Sequence, residues 1–173
     1  MGTERNVYVI EIEWDGPFSI DALNSLNGES DFGVYQVYGT HVVFGSDALL
    51  YIGKAEEQYF SRRMAQHTGW FGNEPSQLTL YVGRLGSETG AIGDGVWKEE
   101  INRAERVLIH SCSPPYNTQH LNTYGSDVKS LVVLNRGKRH RLPAIVSTLY
   151  QESIDRFGWK RFTWSKPFDR ASN

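Results

Sequence analysis

Glu105 is the residue whose surroundings most need a chemical explanation. It follows Ile101 by four positions and precedes Leu108 by three, so its carboxylate falls on the apolar stripe of a predicted helix. An unpaired buried carboxylate is costly, and such groups are therefore ion-paired, hydrogen-bonded or bound to a cation. Two interpretations stay open from this spacing alone: an ion pair with a basic group such as Arg103 or Arg106, or a cation site.

Arg63 and His67 form a second set of residues suited to chemistry. Their i, i+4 spacing places both side chains on one helix face, beside Tyr59. An arginine fork donates two parallel hydrogen bonds to a phosphate, and histidine titrates near neutral pH. The alternative is an ordinary surface patch next to Glu56 or Glu57.

Tyr35 and Tyr51 complete the set, because each lies on an apolar segment close to a glycine, Gly33 or Gly53. Tyrosines bury well when the hydroxyl finds a partner, so packing alone is one interpretation. The glycines indicate in addition that some group approaches the backbone closely.

The elements that must position these residues follow from hydrophobic periodicity and turn signals. In chain order, the first half predicts a strand at 7–14, a short helix after Pro17 capped by Ser19, strands at 33–38 and 49–53, and a helix at 55–67. The two middle strands are expected to form a β-hairpin with a long or structured connection.

The second half predicts a strand, a glycine-rich loop and the Glu105 helix, followed by a basic tail. The elements are a strand at 78–82, the loop at 86–95, a helix at 96–110 stopped by Pro114-Pro115, a strand at 131–134, a turn at 135–138 and a helix from Pro143 to near 158. The predicted class is α/β, more narrowly α+β, with a small mixed, largely antiparallel central sheet flanked by helices.

Five motifs in order resemble the GIY-YIG nuclease family. They are Gly33-Val34-Tyr35, Tyr51-Ile52-Gly53 followed by Lys54-Ala55, the Arg63 and His67 pair, the helix segment Ala104-Glu105-Arg106-Val107-Leu108-Ile109, and Pro114-Pro115-Tyr116-Asn117. The match defines a catalytic core at 32–118, with an N-terminal strand-helix addition at 1–31 and a basic C-terminal strand-helix extension at 119–173. The two tyrosines are sixteen positions apart, which predicts an enlarged hairpin connection.

The resemblance implies a DNA endonuclease that depends on a divalent metal, with one Mg²⁺ or Mn²⁺ per site. Restriction-type, repair and mobile-element or phage nucleases share this core, and the length and the basic segment favour a restriction-type enzyme. By this resemblance Glu105 holds the metal. Tyr35 helps take a proton from the attacking water, Lys54 lowers the pKa of Tyr35, and Tyr51 orients the phosphate or the water. Arg63 stabilises charge at phosphorus, His67 relays a proton, and Asn117 braces the site. Arg62 stands beside Arg63, so the choice of catalytic arginine stays open.

Charge is divided unevenly along the chain. Residues 1–128 carry 8 basic and 17 acidic residues, whereas residues 129–173 carry 10 basic and 3 acidic residues. A basic segment is typical of polyanion binding, since cations release counterions from phosphates. The predicted DNA-binding residues are Arg62, Lys129, Arg136, Lys138, Arg139 and Arg141. The alternative is that the two oppositely charged segments pair with each other.

Rival functions are a non-catalytic nucleic-acid-binding module on the same fold, and a nucleotide-binding protein built around the glycine-rich loop at 90–95. Asp94 is better explained as a helix cap, and no Walker sequence occurs. Cys112 is the single cysteine, which favours a reducing compartment, and we expect a cytoplasmic protein that does not bind membranes. A homodimer is compatible with the family's action on duplexes.

Overall fold

One six-stranded sheet with two α-helices makes up most of the residues that the computed structural model describes, 6–67, 69, 77–86 and 95–150. In chain order the elements are β1 (Tyr8–Phe18), a 3₁₀ helix (Asp21–Ser25), β2 (Gly33–His41), β3 (Gly45–Ala55), α1 (Phe60–Ala65), β4 (Thr79–Gly86), α2 (Gly95–Cys112), β5 (Leu131–Gly137) and β6 (Ile145–Ser147). The strand order is β3-β2-β4-β1-β5-β6, and only β1 and β5 pair in parallel. The predicted α+β class and largely antiparallel sheet are confirmed.

β1 lies inside the sheet, between β4 and β5, although it belongs to the N-terminal addition. Its alternation buries Ile10, Ile12 and Trp14, as the sequence pattern predicts. The Trp14 indole nitrogen donates to the Asn135 side-chain oxygen at 2.9 Å, and both residues are buried. This hydrogen bond satisfies the indole N–H and ties β1 to β5.

The sheet separates two apolar cores. Successive residues of a strand point to opposite faces, so Val34 packs in one core and Tyr35 in the other. Helix α2 contributes Ala104 and Leu108 to the first core, while α1 contributes Met64 to the second. The edge strand β3 therefore lies where side chains from both helices can meet.

The hairpin connection differs from its prediction. β2 ends at His41 and β3 begins at Gly45, so only residues 42–44 connect the two strands. The ladder has register shifts at Val37/Tyr38 and Gly39/His41, which accommodate unequal strand lengths. The sixteen positions between the tyrosines are thus filled by longer strands, and the predicted long connection is wrong.

Two helices of the first half are shorter than predicted. β1 continues through Phe18, and the helix expected after Pro17 is a single 3₁₀ helix, although the Ser19 hydroxyl accepts a hydrogen bond from the Ala22 N–H at 3.3 Å. The helix predicted at 55–67 begins only at Phe60, because β3 pairs with β2 as far as Ala55.

The basic tail also differs from its prediction. β5 continues through the expected turn at 135–138 to Gly137, because its parallel pairing with β1 extends that far. The expected helix start after Pro143 is instead a loop leading into β6, which pairs with β5. The Asn135 side chain donates to the Pro143 carbonyl at 2.8 Å and holds this loop in place.

Some predictions lie outside the described residues, namely most of the glycine-rich loop at 86–95 and the helix end near 158. Among the helices that the structure describes, none has the length and apolar character needed to span a bilayer.

Candidate active site

The side of edge strand β3 that has no neighbouring strand is covered by the segment that follows α2. The Tyr116 N–H donates to the Leu50 carbonyl at 3.0 Å, and the Asn117 side chain both accepts from the Ile52 N–H at 3.0 Å and donates to the Ile52 carbonyl at 2.8 Å. Asn117 is buried, and its amide replaces a neighbouring strand at Ile52. Asn117 thus braces β3 at Ile52, and the catalytic role that the resemblance implies for it stays a prediction.

The two motif tyrosines and His67 form one cluster. The Tyr35 hydroxyl and His67 Nε2 are 2.8 Å apart, and the Tyr35 and Tyr51 ring centroids are 6.0 Å apart. The Tyr35 and Tyr51 side chains also share a hydrogen bond. Tyr35 is fully buried whereas Tyr51 is only partly buried, so Tyr51 is the nearer of the two to solvent.

Gly53 explains how the tyrosines come so close. A Cβ at this position would lie 2.5 Å from Tyr35 Cζ and 2.7 Å from Tyr51 Cε1, closer than any side chain tolerates. The group that approaches the backbone is therefore the protein's own aromatic cluster. The structure thus gives the packing explanation for this glycine.

Arg63 lies nearer to this cluster than Arg62 does. Its guanidinium is within hydrogen-bonding reach of the Tyr35 hydroxyl, and a second nitrogen donates to the Gln66 side chain at 2.9 Å. Arg63 Nε is buried without a hydrogen-bond partner among the described residues. Arg62 is exposed on the adjacent surface of α1. Of the two candidates, the geometry favours Arg63.

Glu105 and Lys54 form the charged part of the site. Glu105 is 8% exposed on α2, and Lys54 Nζ lies 3.6 Å from its carboxylate. The same ammonium contacts the Glu56 carboxylate at 3.4 Å and the Asn102 side-chain oxygen. Burial raises the pKa of Glu105 to about 7, and the attraction of Lys54 only partly offsets that effect. The cation partner of Glu105 is therefore Lys54, and neither Arg103 nor Arg106 supplies it.

Lys54 is placed differently from the role that the resemblance implies. It contacts the carboxylates of Glu105 on α2 and of Glu56 after β3, and the pKa of Tyr35 is raised well above its usual value, first by burial and then by Tyr51. The positive group that lowers it in part is Arg63. The pKa of His67 is lowered by burial and then by Arg63, which favours a neutral imidazole at pH 7.

These residues converge on a cleft of about 320 Å³. Its walls come from β3, α1, α2 and the segment after α2, and include Tyr51, Lys54, Arg63, Glu105, Tyr116 and Asn117. A second cleft of similar volume adjoins it through Lys54 and Arg63 and also includes Arg62 and Glu56. Motif residues that are up to 66 positions apart in sequence, Tyr51 and Asn117, thus line one concave, polar surface.

Asn102 and Glu56 are the site residues that sequence reasoning missed as functional groups. Asn102 precedes Glu105 by three positions, so the helical period places both on one face of α2, and this signal was available. Glu56 follows Lys54 by two positions at the end of β3, where an extended backbone points both side chains the same way, so this signal was also local.

Of the basic tail residues that the structure describes, most are engaged in ion pairs. Three of the five predicted DNA-binding cations after residue 128 contact acidic residues of the preceding part of the chain: Arg136 with Glu11 at 2.9 Å, Lys138 with Asp15 at 3.2 Å, and Arg141 with Asp47 at 2.9 Å. Arg139 donates to the Leu142 carbonyl, and Lys129 is exposed. These contacts support the alternative in which the two charged segments pair with each other.

No group of three or more histidine, cysteine or acidic side chains suited to a metal occurs within the described part of the chain. Comparison of the chain with models of known protein families, with curated proteins and with solved structures found no match in any of the three. The GIY-YIG resemblance therefore stays a prediction based on the residues of this chain.

Proposed function

We propose that this protein is a divalent-metal-dependent endonuclease that hydrolyses DNA phosphodiester bonds, as the GIY-YIG resemblance implies. One observation carries the proposal: a buried carboxylate, an arginine, a tyrosine and the bracing asparagine, from separate elements, line one cleft, with the second tyrosine and a histidine hydrogen-bonded directly behind. A surface patch or a simple core would not require this convergence.

The donor set is compatible with Mg²⁺ or Mn²⁺. Magnesium is held by one or two carboxylates and keeps several waters, and Glu105 with the neighbouring Glu56 offers that number. The carboxylate of Glu105 is kept from water by burial, so a cation gains more there than at an exposed site. When bound, the metal would supply Lewis acidity toward the phosphate oxygen and the attacking water.

Proton transfer is assigned to Tyr51, Tyr35 and His67 in that order. Tyr51 lines the cleft and receives a proton from the attacking water while passing its own to buried Tyr35, which passes one to neutral His67 at Nε2. The water oxygen bonds to phosphorus and the bond to the leaving oxygen breaks. This order differs from the one the resemblance implies, because Tyr35 is fully buried.

The stabilisation of negative charge at phosphorus is assigned to Arg63. Its guanidinium lines both clefts and has more N–H donors than its contacts with Gln66 and Tyr35 use, so the arginine has donor capacity left for a phosphate. Arg62 lines the adjoining cleft, and we assign to it the next phosphate of the strand.

The test is incubation of supercoiled plasmid with purified protein, with Mg²⁺, Mn²⁺ or EDTA. We expect metal-dependent nicking or linearisation that Glu105→Gln abolishes. Glu99→Gln is the matched control, because Glu99 is exposed on the same helix. Metal-independent cleavage, or cleavage that survives Glu105→Gln, would overturn the assignment. DNA binding without cleavage would instead favour the non-catalytic module, and linear product formed without a nicked intermediate would support a homodimer.

A further inference from the structure

The tip of the β2–β3 hairpin exposes three consecutive large apolar side chains. Val42, Val43 and Phe44 are 98%, 76% and 64% exposed. We call these three residues the hairpin tip. Scattered exposed apolar residues are ordinary, but three in succession at the end of a protruding hairpin mark a contact surface.

The hairpin tip is connected to the proposed active-site cleft by aromatic rings. Phe44 stacks on His41 with centroids 4.9 Å apart and an angle of 23° between planes. His41 contacts Tyr116 at 5.9 Å, and Tyr116 lines the cleft that contains Glu105. The ring centroids together span no more than about 11 Å, or about three base steps of 3.4 Å.

The chemistry of this surface fits nucleobases. Bases stack on aromatic rings irrespective of sequence, and apolar side chains enter between base steps of kinked DNA. The segment 39–46 contains no acidic residue, so nothing in it repels a polyanion. Three side chains are also far fewer than the roughly 20–30 residues per side of a stable protein interface, which argues against a second copy as the occupant.

We propose that the hairpin tip contacts unstacked bases of the DNA within about three nucleotides of the cleft wall at Tyr116, so that the substrate is DNA that is unpaired or easily kinked there. This proposal rests on the proposed function. It adds a substrate class, namely DNA with a disrupted base step, and a binding element outside the metal site.

The experiment measures binding by fluorescence anisotropy at low salt with Ca²⁺ in place of Mg²⁺. One ligand is a fully paired duplex. The other is the same duplex with two unpaired bases, and 2-aminopurine stands at those two positions. The variants are Phe44→Ala, Val42→Ser/Val43→Ser, and Ile145→Ser as a matched control, since Ile145 is 62% exposed on the opposite edge of the sheet. Phe44→Trp tests rescue by another stacking ring.

We expect tighter binding of the interrupted duplex by wild-type protein, about a tenfold loss of that preference in Phe44→Ala, and retention in Phe44→Trp and Ile145→Ser. Equal preference in Phe44→Ala and Ile145→Ser would overturn the proposal while leaving the nuclease intact. A wild-type dimer that becomes a monomer in the tip variants would also overturn it, since the tip would then bind a second copy. Absence of both binding and cleavage in wild type would overturn the nuclease proposal as well.

Discussion

The β3 edge of the sheet and the β1–β5 pair in its interior treat charge in opposite ways. Beside β3, the carboxylate of Glu105 is buried, and its one cation partner, the Lys54 ammonium, also contacts Glu56. Burial therefore dominates the pKa of Glu105. Near β5, Arg136 and Lys138 are well exposed, and each faces a carboxylate of β1. The first arrangement is costly in free energy and the second is nearly neutral.

This difference shows that a cluster of charge in the sequence does not locate a binding site. The basic tail is the most prominent electrostatic feature of the chain, yet most of its described cations have partners on the same molecule. The candidate active site is instead the region where a small number of charged groups are buried. Four predictions test this comparison, from the largest expected effect to the smallest.

Removal of the arginine in the cleft gives the largest effect. Arg63→Ala should lower the cleavage rate by about 10²–10³-fold, as loss of a donor to developing charge does elsewhere. Arg62→Ala, one position away and exposed, should lower it less than tenfold. Single-turnover cleavage of plasmid by both variants measures the difference. A larger loss in Arg62→Ala would reassign the catalytic arginine.

Removal of the brace at β3 should affect stability. Asn117→Ala leaves the N–H and carbonyl of buried Ile52 without partners, and we expect a loss of about 2–4 kcal/mol in the free energy of unfolding. Urea denaturation provides the measurement, with Asn122→Ala at an exposed position as control. Equal stability of the two variants would mean that water replaces the amide and that β3 needs no brace.

The pH dependence of stability should reveal the buried carboxylate. Folded Glu105 holds its proton up to about pH 7, whereas the unfolded group releases it near pH 4.5. The folded state therefore binds more protons in this window, and this contribution to stability falls as pH rises from 4.5 to 7. Relative to Glu105→Gln, wild type should lose roughly 3 kcal/mol across the window. Parallel stability curves for the two proteins would contradict a raised pKa at Glu105.

Changes at the β1–β5 pair should matter least. Arg136→Ala and Lys138→Ala each remove an exposed ion pair and should cost less than about 1 kcal/mol of stability. If both cations contacted phosphates, the double variant would reduce the slope of log K against log salt by about 1.8. We expect a change smaller than half of that in DNA-binding titrations. The full change would show that DNA displaces the internal carboxylates.

Local pattern was sufficient for much of this molecule. The alternation in β1 and the stripe on α2 predicted which faces are buried, and the position of Glu105 on that stripe predicted its burial. These features depend on residues within two turns or a few pleats of each other, where the chain geometry fixes side-chain direction. The order of the five motifs is a property of the sequence itself.

Partners were decided by the tertiary structure. Lys54 meets Glu105 from 51 positions away and Arg136 meets Glu11 from 125 positions away, and no local period encodes such pairs. The pairing of β5 with β1 extended a strand through an expected turn, and the exposure of Tyr51 relative to Tyr35 depends on how α1 covers the sheet. The sequence determined which groups could do chemistry, whereas the packing of distant segments determined which of them face one another, because contact across a core is set by the whole chain.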